Sequence, residues 1–514
     1  MAPSQHLRFL YVVWGVLECL LFGGLLFGWG SVVFVLKEEC IFSHLCPNKT
    51  QANRTLAEAE LDIYMDITST MQTGYRHHDA ASNYSFVKEK QMAGSCSCLE
   101  SDSVLFLAFT IGTMMFCAGC AAMGLISIKF GTRVTRLCAL ASFLSGSLLT
   151  GFTSKDFPWL IFPGLSFLGI GGIPLMMTNA QFSVLFTHGS STVMALFSGA
   201  FDASSGIMLI VKLIYERGVA FKWSMLFISS LHLLTLVNTF CFLPRDFIRK
   251  PTPRNVGSGE QGVELITKTS PSDACPVSGT KEEGACLTSD ENKEDKEEKE
   301  GLPSVISCIL SPVYLFHVVW LSVLQLRFYY FIASFNSWLT ALVASSEVSH
   351  YTNALMYTMI CGCFMAPLSG LVYDFNKRFF CESKSKLRRD LMPSVLPLAL
   401  TGLFGIMVSI LVLIQDTRVL YLTFIFVTIF RSFLYSMAAA YIGVMFPSEY
   451  FGIMYGVMII LAGIFGLAQY GLFSWAEAAG FSVVNQFLVA FVALGLVHPL
   501  YQWFACYRAE SQAQ

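Results

Sequence analysis

Four ionisable side chains stand inside long apolar runs: Glu18, Asp202, Arg327 and Arg431. A charge at the centre of a hydrocarbon layer costs at least ~2.5 kcal/mol, so each implies a partner or a ligand. Two acids and two bases at similar depth fit inter-helix ion pairs first, and direct contact with a polar solute is the second reading. Arg327 with Asp202 offers partners for the carboxylate and the ammonium of a zwitterion. Uncharged groups stand beside them. Asn179 and Gln181 follow a stretch rich in glycine and proline from Pro163 to Pro174, Ser205 follows Asp202, and one run carries Gln325, Tyr329, Tyr330, Asn336 and Trp338. Glu18, Asn179, Gln181 and the tyrosines suit a neutral, flat heterocycle, which needs stacking with paired donors and acceptors. His232 and His317 read as packing groups between helices. No P-loop, zinc helix or nucleophile elbow occurs, and the Gly257–Gly262 match to G-x-G-x-x-G has no strand before it. Binding chemistry is therefore expected, with no enzyme activity, cofactor or metal.

The elements that must hold these groups are membrane helices. The chain has 514 residues, of which 54% are hydrophobic and 13% charged, and its mean hydropathy is +0.59. Of its 68 charged side chains, 38 lie in 37–102 and 244–303, leaving 30 in the other 388 residues. A water-soluble fold could not cover its surface with so little charge. The net charge of −2 and the lack of a basic face exclude nucleic acid as a partner. About 20 apolar residues cross ~30 Å of hydrocarbon, which predicts an all-α membrane protein with twelve spans near 9–36, 103–123, 134–153, 158–178, 190–211, 223–243, 311–341, 351–373, 393–414, 419–442, 452–474 and 482–505. The first reads as a retained span. The glycines of the fourth fit either a kinked, cavity-lining helix or tight helix packing. Gly24-x-x-x-Gly28 and Gly452-x-x-x-Gly456 read as packing seams.

Lys and Arg near span ends set orientation. One set of loops holds Arg8, Lys129, Arg133, Arg136, Arg245, Arg249, Lys250, Lys377, Arg378, Lys384, Lys386, Arg388, Arg389 and Arg508, whereas the short loops opposite hold Lys155, Lys212, Arg217, Lys222 and Arg418. Both termini are thus expected in the cytoplasm and loop 37–102 outside. That loop contains three glycosylation sequons, at Asn48, Asn53 and Asn83, and Cys40, Cys46, Cys96 and Cys98, which predict two disulfides of open connectivity. Segment 244–303 contains Asp290–Glu300 and reads as a disordered cytoplasmic linker between six-span halves at 1–243 and 304–514.

The halves echo each other. Gly124-Leu-Ile-Ser-Ile128-Lys129-Phe-Gly131-Thr-Arg133 follows the second span, and Gly370-Leu-Val-Tyr-Asp374-Phe-Asn-Lys377-Arg378 follows the eighth. The pair resembles the loop signature of the major facilitator superfamily, in which glycine permits close helix packing and an acid latches neighbouring helices. Ile128 takes the acidic position in the first copy and Asp374 keeps it in the second. The resemblance implies a transporter with a substrate site between halves that rock to alternate access.

Longer stretches resemble solute carrier family 43 over nearly the whole chain: Glu18-Cys-Leu-Leu-Phe-Gly-Gly-Leu-Leu-Phe-Gly-Trp29, Ser198-Gly-Ala-Phe-Asp202-Ala-Ser204-Ser205, Lys212-Leu-Ile-Tyr-Glu216, Arg431-Ser-Phe-Leu-Tyr435 and Phe446-Pro-Ser-Glu449-Tyr-Phe-Gly452. That family is implied to hold facilitators of large neutral amino acids and a carrier of purine nucleobases such as adenine, guanine and hypoxanthine. The Leu-Phe-Gly-Trp29 and Gly-Ala-Phe-Asp202 runs resemble the nucleobase branch, and Gln325-Leu-Arg327 resembles the amino-acid branch. The expectation is an equilibrative, sodium-independent nucleobase transporter of the plasma membrane. An amino-acid facilitator is the alternative, and a non-transporting receptor or scaffold the second.

Overall fold

The computed structural model describes residues 5–46, 98–185, 190–243, 304–380, 383, 386–446 and 450–513. Asn48, Asn53, Asn83, Cys96 and the segment 244–303 lie outside these. Every regular element among the described residues is helical, as a bilayer demands of backbone groups that lipid cannot hydrogen-bond.

Nine helices are long and apolar enough to cross a membrane among the described residues, and two bent pairs raise this to eleven. Leu99–Gly151 is 53 residues, about 80 Å at 1.5 Å per residue, which is far more than one crossing. It breaks at Gly131, whose φ of 80° and ψ of 179° suit glycine alone. Dividing it there brings the number to twelve. Span 1 is His6–Phe22 with Leu25–Glu38, spans 2 and 3 are the halves of Leu99–Gly151, span 4 is Pro158–Phe182, span 5 is Leu196–Glu216 and span 6 is Phe221–Phe242. Span 7 is Pro312–Leu342, span 8 is Ser345–Ile360 with Gly362–Phe379, span 9 is Leu387–Leu411, span 10 is Thr417–Met445, span 11 is Phe451–Ala479 and span 12 is Phe481–Arg508.

Local chemistry sets several boundaries. Ser311 caps span 7 by accepting from the Tyr314 amide, with Pro312 in the first turn. Asp416 caps span 10 by accepting from the Arg418 amide at 2.9 Å. Span 2 begins at Leu99, four residues before its apolar run, which places Glu100 and Asp102 in its first turn, where carboxylates favour a helix. Spans 1 and 5 likewise extend through Glu38 and Glu216, so Lys212 lies within a helix and not in a short loop.

Glycine in span 4 serves packing rather than a kink. A methyl on Gly172 would meet the Gly23 carbonyl at 2.0 Å, one on Gly171 the Phe143 amide at 2.7 Å, and one on Gly164 Thr150 Oγ1 at 2.6 Å. Gly24 and Gly28 pack the bend of span 1 on Phe201, Ser205 and Met208 of span 5. Spans 1–6 meet spans 7–12 along two such seams. Gly463 of span 11 faces Cys117 of span 2, and Gly199 of span 5 lies against the Cys363 carbonyl of span 8. Span 7 is the most enclosed span, while Phe364, Phe375 and Phe379 of span 8 are among the most exposed apolar side chains, as a lipid-facing surface requires.

Candidate functional site

The centre of the bundle is held by an ion pair that joins the two sets of spans. Asp202 and Ser205 come from span 5 and Arg431 and Ser432 from span 10. Arg431 Nε lies 3.3 Å from Asp202 Oδ1. Its Nη1 donates to the Asp202 carbonyl at 3.2 Å and to Ser205 Oγ at 3.4 Å, and Ser432 Oγ donates to Asp202 Oδ2 at 3.2 Å. The guanidinium sits over the rings of Phe27 and Phe328 at 4.9 and 5.7 Å. Both charges are buried, so each depends on the other.

Next to this pair lies an aromatic cluster. Phe27 meets Phe116 edge-on at 5.1 Å, stacks with Tyr329 at 6.0 Å and approaches Tyr435 at 6.5 Å. Two amides border it. Gln325 Nε2 donates to Cys117 Sγ, which also meets the Tyr329 hydroxyl, both at 3.7 Å. Gln469 Nε2 donates to Thr113 Oγ1 at 3.1 Å. Thr113 spends its hydroxyl proton on the Thr110 carbonyl at 2.9 Å, so its oxygen must accept, which orients the Gln469 amide. Thr113 and Cys117 are one turn apart on span 2. Both carboxamide oxygens, Gln325 Oε1 and Gln469 Oε1, are buried without a partner among the described residues. Gln469 was not singled out from the sequence; its signal is a lone amide within an apolar run.

Three other candidates are used elsewhere. Glu18 does not pair across the bundle. Its Oε2 accepts from Arg136 Nη2 at 2.7 Å, Asn238 Nδ2 at 2.6 Å and Asn179 Nδ2 at 3.0 Å, and its Oε1 from Trp14 Nε1 at 3.2 Å. Arg136 also donates to Thr239 Oγ1, Thr178 Oγ1, Asn179 Oδ1 and the Thr235 carbonyl. This corrects the expectation that Arg136 is a loop charge: it is 2% exposed, because the break at Gly131 starts span 3 before it. Gln181 pairs with Thr132 of span 3. All of these contacts stay within spans 1–6.

Arg327 is not beside Asp202. Its Nε donates to Ser409 Oγ of span 9 at 2.8 Å and its guanidinium lies 5.7 Å from the Phe331 ring. Among the described residues Nη1 and Nη2 have no hydrogen-bond partner, and neither does the Tyr330 hydroxyl. Asn336 Nδ2 donates to the Gly30 carbonyl of span 1 at 2.8 Å. His317 and His232 are packing groups: the first meets the Ala438 carbonyl and the second stacks on Phe143 at 3.9 Å.

Parity puts Gln5 and Arg508 at one end of the bundle and the Cys46–Cys98 disulfide at the other. Cys40 is also disulfide-bonded. At the disulfide end polar contacts tie the two sets of spans. Lys37 and Ser337 both meet Asp102 Oδ2 at 2.8 Å, Ser103 Oγ donates to Glu477 Oε2 at 3.2 Å, and Lys212 Nζ reaches Ser349 Oγ and Asn353 Oδ1, each at 2.6 Å. The signature loops lie at the other end. A methyl on Gly124 or Gly370 would meet nothing within 4 Å, so neither glycine marks a close helix approach here. Asp374, Lys129, Lys377 and Arg378 are exposed, Arg133 is half-buried over the Phe240 ring, and no ion pair of Asp374 occurs among the described residues.

Comparisons match this architecture. The family model "Major Facilitator Superfamily" covers residues 99–470. The chain is 34% identical to the Bos taurus "Equilibrative nucleobase transporter 1", over 99% of this chain and 98% of that one. It is 25% identical to the Homo sapiens "Large neutral amino acids transporter small subunit 3", over 100% and 97% of the two chains. The crystal structure of the human organic anion transporter MFSD10 (TETRAN) superposes with a TM-score of 0.54 at 12% identity, covering 97% of this chain and 100% of that one, and so shares the fold. The all-α, multi-pass fold expected from the sequence is thereby borne out, the relatives are transporters rather than enzymes, and a small-molecule substrate and a lipid environment follow: this chain belongs to the major facilitator superfamily.

Proposed function

We propose that the chain is an equilibrative transporter of purine nucleobases in the plasma membrane, working by alternating access between residues 1–243 and 304–514, with both termini in the cytoplasm. The observation that carries this reading is the pair of orphaned amide oxygens, Gln325 Oε1 and Gln469 Oε1, bordering the aromatic cluster. Buried acceptors seek N–H donors, and flat rings offer faces for stacking. A purine supplies both and carries no charge. The charges at the centre, Asp202 and Arg431, already neutralise each other, leaving no free pair for a zwitterion. Glu18 and Asp202 both hold basic partners, so no mid-depth acid is reserved for a coupled proton or sodium ion. The higher identity to a nucleobase carrier than to an amino-acid carrier agrees.

Uptake of labelled adenine by proteoliposomes, with and without sodium and proton gradients, tests the proposal. Saturable uptake indifferent to both gradients is expected. Leucine uptake with no adenine uptake overturns it in favour of the large neutral amino acids. One observation favours that second reading: the two unpartnered Nη groups of Arg327 form a fork that fits a carboxylate.

A further inference from the structure

Among the described residues, the ionised side chains fully buried in the spans are matched with one exception. Glu18 is paired with Arg136, Asp202 with Arg431 and Lys212 with Glu216. Arg327 is 1% exposed and has no carboxylate within ion-pair distance among the described residues. Arginine keeps its proton in proteins, so it does not escape the burden of an uncompensated buried charge by neutralising, as a lysine does.

The surroundings of Arg327 describe the missing group. Ser409 Oγ donates to the Gly405 carbonyl at 3.0 Å and accepts from Arg327 Nε at 2.8 Å, which anchors the guanidinium by its stem. Its outer edge, Nη1 and Nη2, has no acceptor among the described residues, and neither has the neighbouring Tyr330 hydroxyl. Three donors thus lack an acceptor, and the Phe331 ring flanks the guanidinium. The Glu477 carboxylate is near enough to act on the Tyr330 hydroxyl but forms no ion pair with Arg327 among the described residues. Acceptors alone would satisfy the donors, whereas only a bound negative charge pairs with the guanidinium directly.

We propose that Arg327, with Tyr330, forms a binding site for a small monovalent anion within spans 7–12. The shared chemistry is one compact negative charge that accepts two or three hydrogen bonds. Its source is a halide or the carboxylate of a transported solute. The site does not depend on the substrate being a nucleobase: a neutral purine brings no charge, so an inorganic anion fills the site alongside it.

The test is thermal unfolding of the purified full chain in lipid nanodiscs, with chloride or acetate titrated against HEPES at constant ionic strength. The wild type is expected to show a saturable rise in Tm with chloride, acetate or both, and Arg327→Gln to show none. Tyr330→Phe, which keeps the charge of Arg327, is expected to raise the half-saturating concentration about tenfold, the lower end of one hydrogen bond to a charged group. Two further arms identify the source. A shift with leucine that chloride competes away and Arg327→Gln abolishes assigns the anion to a substrate carboxylate. A shift with adenine that adds to that of chloride and survives in Arg327→Gln assigns it to the halide. No saturable shift in the wild type, or equal shifts in wild type and Arg327→Gln, overturns the site. Should Arg327→Gln not fold, an anion response unchanged in both Arg327→Lys and Tyr330→Phe overturns it equally. Adenine uptake is read separately, so loss of the anion site and loss of the nucleobase reading remain distinguishable.

Discussion

Arg136 and Arg327 are both buried arginines that reach across a single set of spans, one between spans 3 and 1, the other between spans 7 and 9. The first has a carboxylate and four further acceptors within hydrogen-bond reach. The second has one serine. Saturation on every nitrogen is what a structural strut requires, since any unpaired donor in a low-dielectric interior is costly. Arg431 also has two nitrogens without a hydrogen bond among the described residues, Nε and Nη2, but Asp202 balances its charge. An arginine left with two idle nitrogens and no carboxylate is poorly designed as a strut and well designed as a receptor. The same residue type at similar burial thus takes opposite roles, and a carboxylate partner with satisfied donors separates Arg136 from Arg327.

The strut is the larger target. Glu18→Gln leaves Arg136 buried without its counter-charge, and breaking such a pair costs about 3–5 kcal/mol. Unfolding of Glu18→Gln in nanodiscs is expected at a much lower Tm than wild type, with Glu18→Gln, Arg136→Met recovering most of the loss. A variant with unchanged Tm but abolished uptake would instead make Glu18 a substrate contact and remove the contrast.

A smaller deletion sharpens the comparison. Thr178→Val removes one of five acceptors from Arg136, and Ser409→Ala removes the one acceptor of Arg327. A hydrogen bond to a charged group contributes about 1.5–3 kcal/mol. The full amount is expected for Ser409→Ala and well under half of it for Thr178→Val, where the guanidinium keeps its carboxylate. Equal losses in chemical unfolding would mean that satisfaction is not what distinguishes the two sites.

Much of this was legible from residue type and position. The twelve spans follow from apolar runs and the length of a crossing, and the four mid-depth charges stood out by their cost in lipid. Their partners did not. Arg136 lies 118 positions from Glu18 and three after Arg133, so in sequence it joins the basic cluster of a loop; only the helix break at Gly131 carries it inside. Asp202 could have paired with either arginine, and which one depends on how spans 5 and 10 cross. The glycines of span 4 fitted a cavity or a seam, and the Gly23 carbonyl decided for the seam. Gln469 was overlooked because an uncharged amide costs little on insertion, yet its oxygen is among the few without a partner.

That oxygen supplies the next contrast, between an idle donor and an idle acceptor. Gln469→Leu deletes an unsatisfied carbonyl, so Tm should hold or rise, while adenine uptake loses one hydrogen bond, about 1 kcal/mol or roughly fivefold in apparent affinity. Arg327→Gln should leave adenine affinity nearly unchanged. If instead Arg327→Gln weakens adenine and Gln469→Leu does not, the receptor for the base lies at the arginine and the assignments exchange places.

The smallest effect belongs to an ion pair that is neither strut nor receptor. Lys37 and Asp102 are each 15% exposed, close enough to water for salt to screen them, and such pairs contribute at most about 1 kcal/mol. The pair itself joins spans 1 and 2, but Asp102 also holds Ser337 of span 7, so under the proposed alternating access its carboxylate favours closure at the disulfide end. Asp102→Asn should leave Tm almost unchanged and raise, by a few-fold, the labelling of a cysteine placed at Ala333, buried one turn from Ser337 on span 7, by a small thiol reagent applied from the disulfide end. High salt should produce the same increase in the wild type and none in the variant. Labelling indifferent to both would make the contact incidental to closure, and the useful contrast in this molecule would then lie wholly among its buried charges.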